Sequence, residues 1–139
     1  MVPVEDVARM LGIEEGVASI TDLRRLIGRG LSKRALGHVV NYVSQNPEEA
    51  ASLRDRLVPP ATFKRRITLK PEEGAKVERM ARIAALAQDA FGSPEDAREF
   101  LHAPHPELGG DRPLDVAQTE LGARQVEELL WRMEYGLPA

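Results

Sequence analysis

The 139-residue chain has no cysteine. That removes disulfide staples, thiolate metal sites and thiol nucleophiles together, and it agrees with a reducing compartment. Aromatic residues are scarce, at one Trp, two Tyr and three Phe. No run of about 18 apolar residues occurs, so no membrane-spanning helix is expected. The start, Met-Val-Pro-Val-Glu-Asp, lacks the basic-then-apolar order of a secretory signal. These absences point to the cytoplasm. Strand signals are nearly missing too. Val39-Val40 and Ile67-Thr68-Leu69 are the β-branched clusters, and neither alternates over a useful length. Three histidines and few hydroxyls near them give no triad, no zinc spacing and no nucleotide fingerprint. An enzyme, a cofactor and a metal are therefore not expected. His102 and His105 are three apart, with Glu107 and Asp111 nearby. However, His105 lies between Pro104 and Pro106, off any helix, so the two imidazoles need not converge.

A hydrophobic fraction of 42% and a charged fraction of 29% suit one domain, or two small ones sharing a core. The rest reads as short helices punctuated by Pro and Gly. Residues 1–20 are a weakly amphipathic start with a stop at Gly12, and a mobile arm is one reading of them. Thr21 is expected to cap a helix through about Ile27, and Ser32 the next, with Leu36, Val39, Val40 and Val43 on one face. Asn46 should cap a third, with Pro47 at its first position and Ala50, Leu53 and Leu57 buried. Pro71 should open a helix to Phe91, with Val77, Met80, Ile83, Ala84, Ala87 and Phe91 as its apolar stripe and Gly92 as terminator. Ser93-Pro94 opens another, to about Leu101. After a loop over 102–112, Pro113 to Gln118 can form one turn. Thr119 caps a last helix from about Leu121 to Tyr135.

Charge is segregated. The net charge of the chain is -3, but residues 22–40 carry +4, residues 53–82 carry +5, and residues 89–139 carry -7. Two different partners, or two ordinary solvated faces, would both give this pattern. Within the basic part, the third helix, the Pro59-Pro60 turn and an Arg-rich helix over Ala61–Ile67 make a helix-turn-helix pattern. Thr62, Lys64, Arg65 and Arg66 would then face DNA, and Phe63 and Ile67 the core. Arg can pair with guanine edges, while Lys and Thr more often hold phosphate. A plain solvated Lys-Arg-Arg face remains the other reading.

The last helix can be read by angle. Val126, Leu129, Leu130 and Met133 share one face, while Arg124, Glu128, Trp131 and Tyr135 share the opposite one. Exposed aromatics beside an Arg have the make-up of an interface hot spot. Cover by another element would instead make Trp131 core.

The stretch from Val58 to Ala139 resembles the Xre/MbcA/ParS antitoxins. The residues that carry this are Pro60-Ala-Thr-Phe-Lys-Arg-Arg66, Leu69-Lys-Pro-Glu-Glu73, Arg79-Met-Ala-Arg-Ile83 and Ala90-Phe-Gly92. They continue with Phe100-Leu101, Pro104-His-Pro-Glu-Leu-Gly-Gly110, Pro113-Leu-Asp-Val-Ala117, Thr119-Glu120, Gly122, Val126, Leu130 and Glu134-Tyr-Gly136. The resemblance implies an all-α protein with an Xre-like helix-turn-helix part, at residues 21–70, before a helical toxin-binding domain at residues 71–139. The partner it implies is a RES-domain toxin that consumes NAD, by degradation or ADP-ribosyl transfer, blocked at its NAD pocket. Operator DNA would be the second partner, and a homodimer or higher hetero-oligomer the assembly. Toxin contacts would fall on Leu108, Gly109, Gly110, Pro113, Thr119 and Glu120, and on Arg124, Glu128, Trp131 and Tyr135. Trp131 departs from the family pattern, where a small or polar residue is expected. The rival reading is a stand-alone repressor whose C-terminal half only dimerises.

Overall fold

The computed structural model describes residues 2–60 and 65–136. Its α-helices, in chain order, are α1 (Val4–Met10), α2 (Ile20–Arg29), α3 (Arg34–Val43), α4 (Pro47–Leu57), α5 (Pro71–Phe91), α6 (Pro94–His102), α7 (Pro113–Val116) and α8 (Glu120–Glu134). A 3-10 turn, Pro106–Leu108, precedes α7. Among the described residues the β-structure is one antiparallel bridge between Ser32 and Thr68. The all-α expectation holds.

Local chemistry explains most of the helix ends. Asn46 accepts the Glu49 amide at 2.8 Å, Ser93 the Asp96 amide at 3.1 Å and Thr119 the Gly122 amide at 3.0 Å. Each side chain satisfies one of the free amides of a first turn, a contribution of about 1 kcal/mol. Proline follows at the first helical position of α4, α5 and α6. Gly92 closes α5 in the left-handed region at φ +84°. Two caps differ from expectation. Lys33, not Ser32, is the N-cap residue of α3 and makes no side-chain capping bond, although Ser32 Oγ accepts the Arg34 amide at 3.2 Å. Ser19, not Thr21, caps α2, accepting the Asp22 amide at 3.1 Å, so the helix starts one residue before Thr21. Both hydroxyls satisfy the local pattern, and only the three-residue spacing to Asp22 separates them.

The long helix α5 is the mast of the molecule. It packs against α1, α2, α3 and α4 on the N-terminal side and against α6 and α8 on the C-terminal side. Its buried apolar side chains are Val77, Met80, Ala81, Ile83, Ala84, Ala85 and Ala87. The alanines let neighbouring backbones come close, and burial of each large apolar side chain contributes about 1.5–3 kcal/mol. The core runs without a break from Val7 to Leu130. It therefore includes the first helix: Val7, Ala8 and Leu11 are 5%, 3% and 2% exposed. Residues 4–11 are not a mobile arm. Their apolar positions, although few, fall on one face and find α5 and α3.

The expected helix over Ala61–Ile67 lies partly outside the described residues. What is described differs from it at Ile67, which is 82% exposed rather than core-facing. Arg66 and Ile67 have already left helical geometry, and the chain there runs to the Ser32–Thr68 bridge. Phe63 lies outside the described residues.

Candidate partner-binding face

The last helix follows directly from the turn before it. Arg79 on α5 donates to the Gln118 carbonyl at 3.2 Å, and Gln118 donates to the Leu114 carbonyl at 2.9 Å. These bonds pin the α7–α8 joint. Gly122 then passes so close to α7 that a Cβ there would sit 1.8 Å from the Val116 carbonyl oxygen. The inner face of α8 is Gly122, Ala123, Val126, Leu129 and Leu130. Met133, expected in that stripe, is instead 37% exposed. It falls in the last turn, beyond Leu130, where the core cluster ends.

The outer stripe of α8 presents Glu120, Arg124, Glu128, Trp131 and Tyr135, all exposed. The Trp131 and Tyr135 rings stand with centroids 5.1 Å apart and planes at 47°. Trp131 keeps 46% of its surface and Tyr135 57%. Trp131 is therefore exposed rather than core, and it lines a groove.

That groove was not apparent from the sequence. It has a volume of about 930 Å³ and runs between α1, α2, α5 and α8. Val4, Val7, Ile20, Leu23, Ile27, Leu86 and Trp131 give it apolar walls, and Arg24, Glu78, Arg82, Arg124, Glu127 and Glu128 edge it. Arg82 bridges two of these acids, with Nε 2.8 Å from Glu127 and 3.9 Å from Glu78. Burial pushes the Glu78 carboxyl above its ordinary value, against the pull of Arg82 and helped by the charge on Glu127.

On the other side of the stripe sits the Pro104–Gly110 turn. The His105 ring nitrogen Nδ1 accepts the Glu107 amide at 3.1 Å. Gly109 and Gly110 take φ +69° and +84°, and the Gly110 amide returns to the His105 carbonyl at 3.0 Å. Gln125 donates to the Glu107 carbonyl at 3.2 Å, and Arg132 lies 3.5 Å from the Glu107 carboxylate. The turn and α8 thus form one face. Gly109, Gly110, Thr119 and Glu120 are exposed on it. Leu108 and Pro113 are buried. They hold the turn from beneath and offer no surface to a partner.

His102 is committed to the fold. Its Nε2 lies 2.7 Å from the Val43 carbonyl and 3.0 Å from Glu49, and its Nδ1 lies 3.1 Å from Arg112. A carbonyl only accepts and a guanidinium only donates, so the proton sits on Nε2 and Nδ1 accepts from Arg112. The ring thereby ties α3, α4 and α6 to the segment leading into α7. Among the described residues no group of three or more His, Asp or Glu is placed to hold a metal ion.

Of the four candidate DNA contacts, Thr62 and Lys64 lie outside the described residues. Arg65 is exposed. Arg66 turns inward, its two terminal nitrogens 2.5 and 2.9 Å from the carboxylate of Glu73. Glu73 also accepts the Lys70 amide at 2.8 Å, closing the first turn of α5. This bidentate pair holds the Glu73 carboxyl below its ordinary value, with the Arg66 hydrogen bonds the largest cause.

Residues 86–136, which span the end of α5, α6, α7 and α8, match the family described as the antitoxin Xre/MbcA/ParS C-terminal toxin-binding domain. A protein named antitoxin Xre from Pseudomonas putida is 33% identical over 87 residues, which is 60% of this chain and 55% of that one. A second antitoxin Xre, from Yersinia enterocolitica, is 32% identical over 94 residues, covering 64% of each chain. The match spans between about half and two thirds of these relatives' own lengths.

Proposed function

We propose that the chain is an Xre/MbcA/ParS-type antitoxin, a non-catalytic inhibitor that binds a protein toxin and covers its active site. The observation that carries this reading is the overlap of the matched region, residues 86–136, with an exposed face that has a Trp-Tyr pair at its centre. Large aromatics beside Arg124, flanked by charge, are what a binding hot spot needs. The toxin we assign is a RES-domain enzyme that consumes NAD. A pocket that holds the phosphates of NAD must be basic, and Glu120 and Glu128 offer it carboxylates instead. Inhibition then needs complementarity and no chemistry from the antitoxin itself.

The second part of the proposal is autoregulation in the cytoplasm. Residues 21–70 bind the operator of the chain's own operon, with Thr62, Lys64 and Arg65 toward DNA. Arg66 acts from behind, through Glu73. A dimer or a larger complex with the toxin would supply two such units to two half-sites.

The test is co-expression with the adjacent reading frame, pull-down, and an NAD-consumption assay before and after this chain is removed. A stable complex that consumes NAD only once freed supports the proposal. No complex, with tight promoter binding by this chain alone, makes it a repressor. Charge reversal at Glu120 and Glu128 together with unchanged inhibition would remove the phosphate-mimicry part.

A further inference from the structure

Two long stretches of the chain contain no carboxylate, residues 23–47 and residues 56–71. Together they hold ten of the nineteen Lys and Arg and none of the twenty-two Asp and Glu. They are separate in sequence, but the Ser32–Thr68 bridge joins them in the fold. The Lys33 amide donates to the Ile67 carbonyl at 3.1 Å, and the Leu69 amide to the Leu31 carbonyl at 2.7 Å.

Three exposed arginines surround this bridge. Arg29 ends α2, Arg34 opens α3, and Arg65 precedes the second arm of the bridge. With about 3.8 Å between successive Cα atoms and about 5 Å across the bridge, no two of them are more than about 28 Å apart. That is less than one turn of duplex DNA, about 34 Å.

They differ in pairing from several arginines elsewhere in the chain. Arg56, Arg82, Arg112 and Arg132 each meet a carboxylate of this chain. Arg66, within the same basic stretch, is taken by Glu73. No carboxylate pairs with Arg29, Arg34 or Arg65 among the described residues. Like charges gathered without counter-charge repel one another, and a polyanion relieves that repulsion while releasing its own counterions.

We propose that Arg29, Arg34 and Arg65 form a sequence-independent clamp on the phosphate backbone of duplex DNA. The clamp adjoins in the chain the 61–65 segment assigned to operator recognition, and it rests on the DNA-binding part of the proposed function. It assigns to α2 and α3 a role that the toxin-binding part does not use. The clamp positions the protein on the duplex without reading its sequence.

The test is fluorescence anisotropy of the full chain with a labelled random-sequence duplex of about 20 base pairs, over a salt series from roughly 50 to 200 mM. Arg29→Gln with Arg34→Gln should weaken binding and reduce the slope of log K against log salt by about two units. Arg65→Gln alone should reduce it by about one, which keeps the test available if the double variant fails to fold. An unchanged slope in these variants, with a reduced slope in Lys64→Gln, overturns the clamp and leaves the DNA reading standing. No binding of any duplex by the unaltered chain overturns both. Tighter binding to a double-stranded RNA of equal length, lost in the same variants, overturns the assignment to DNA.

Discussion

Gly122→Ala tests the joint that aims the partner-binding face. The added Cβ would lie 1.8 Å from the Val116 oxygen, 2.8 Å from the Val116 carbonyl carbon and 2.9 Å from Thr119 Oγ1. The first of these atoms is backbone and cannot rotate away, so α7 or the start of α8 must move by more than an ångström. Overpacking of this kind costs about 1–3 kcal/mol. Disturbance of the Thr119 cap adds about 1 kcal/mol. Replacing a helical glycine by alanine returns about 1 kcal/mol. The net is a loss of about 1–3 kcal/mol. For a chain of this size that is a fall in Tm of roughly 3–12 °C. Circular dichroism melts read it directly. Gly37→Ala is the internal control. Gly37 lies inside α3 with nothing within 4 Å of the added Cβ, so the same exchange should stabilise by about 0.5–1 kcal/mol. A Gly122→Ala protein as stable as the unaltered chain would refute the close approach of α7 to α8.

Trp131→Ala should weaken the toxin complex by about 2 kcal/mol, or roughly 30-fold in Kd, with little change in Tm because the ring is half exposed. Calorimetry with the purified toxin measures this, and an unchanged Kd removes Trp131 from the contact. Two carboxyls should show opposite pH behaviour. Glu73 is held below its ordinary 4.5 by Arg66, so its contribution is present above that value and fades as pH falls through its lowered pKa. Glu78 is raised by burial, so its contribution is present below 4.5 and is lost as pH rises through its elevated pKa. Urea titrations across pH should therefore show Glu73→Gln destabilised at neutral pH and Glu78→Gln stabilised there. The same sign for both would contradict the two environments.

Much of the fold was legible because it is local. Asn46, Ser93 and Thr119 cap helices through bonds three residues long, and Pro47, Pro71 and Pro94 start helices by their own ring geometry. The outer stripe of α8 also followed from angle alone. What was not legible depends on distant partners. Val7 and Leu11 gave too short a stripe to reveal a core helix until α5 lay beside them. Arg66 read as a DNA contact because its partner, Glu73, lies seven residues on, in the first turn of the next helix. The groove beside Trp131 needs four helices at once, so no single window of sequence contains it. Leu108 and Pro113 sat within a surface motif, yet the turn uses them as its buried footing.

The central position of α5 sets a timetable for synthesis. The first four helices pack on residues 71–91, so their apolar faces have no completed site until that segment has been made. At about 5–20 residues per second, the interval between α1 and the end of α5 lasts on the order of ten seconds. During that interval each nascent chain exposes Leu23, Val39, Val43 and Leu53 to chaperones and proteases. Any change that slows the docking of α5 should therefore lower yield before it alters the finished protein.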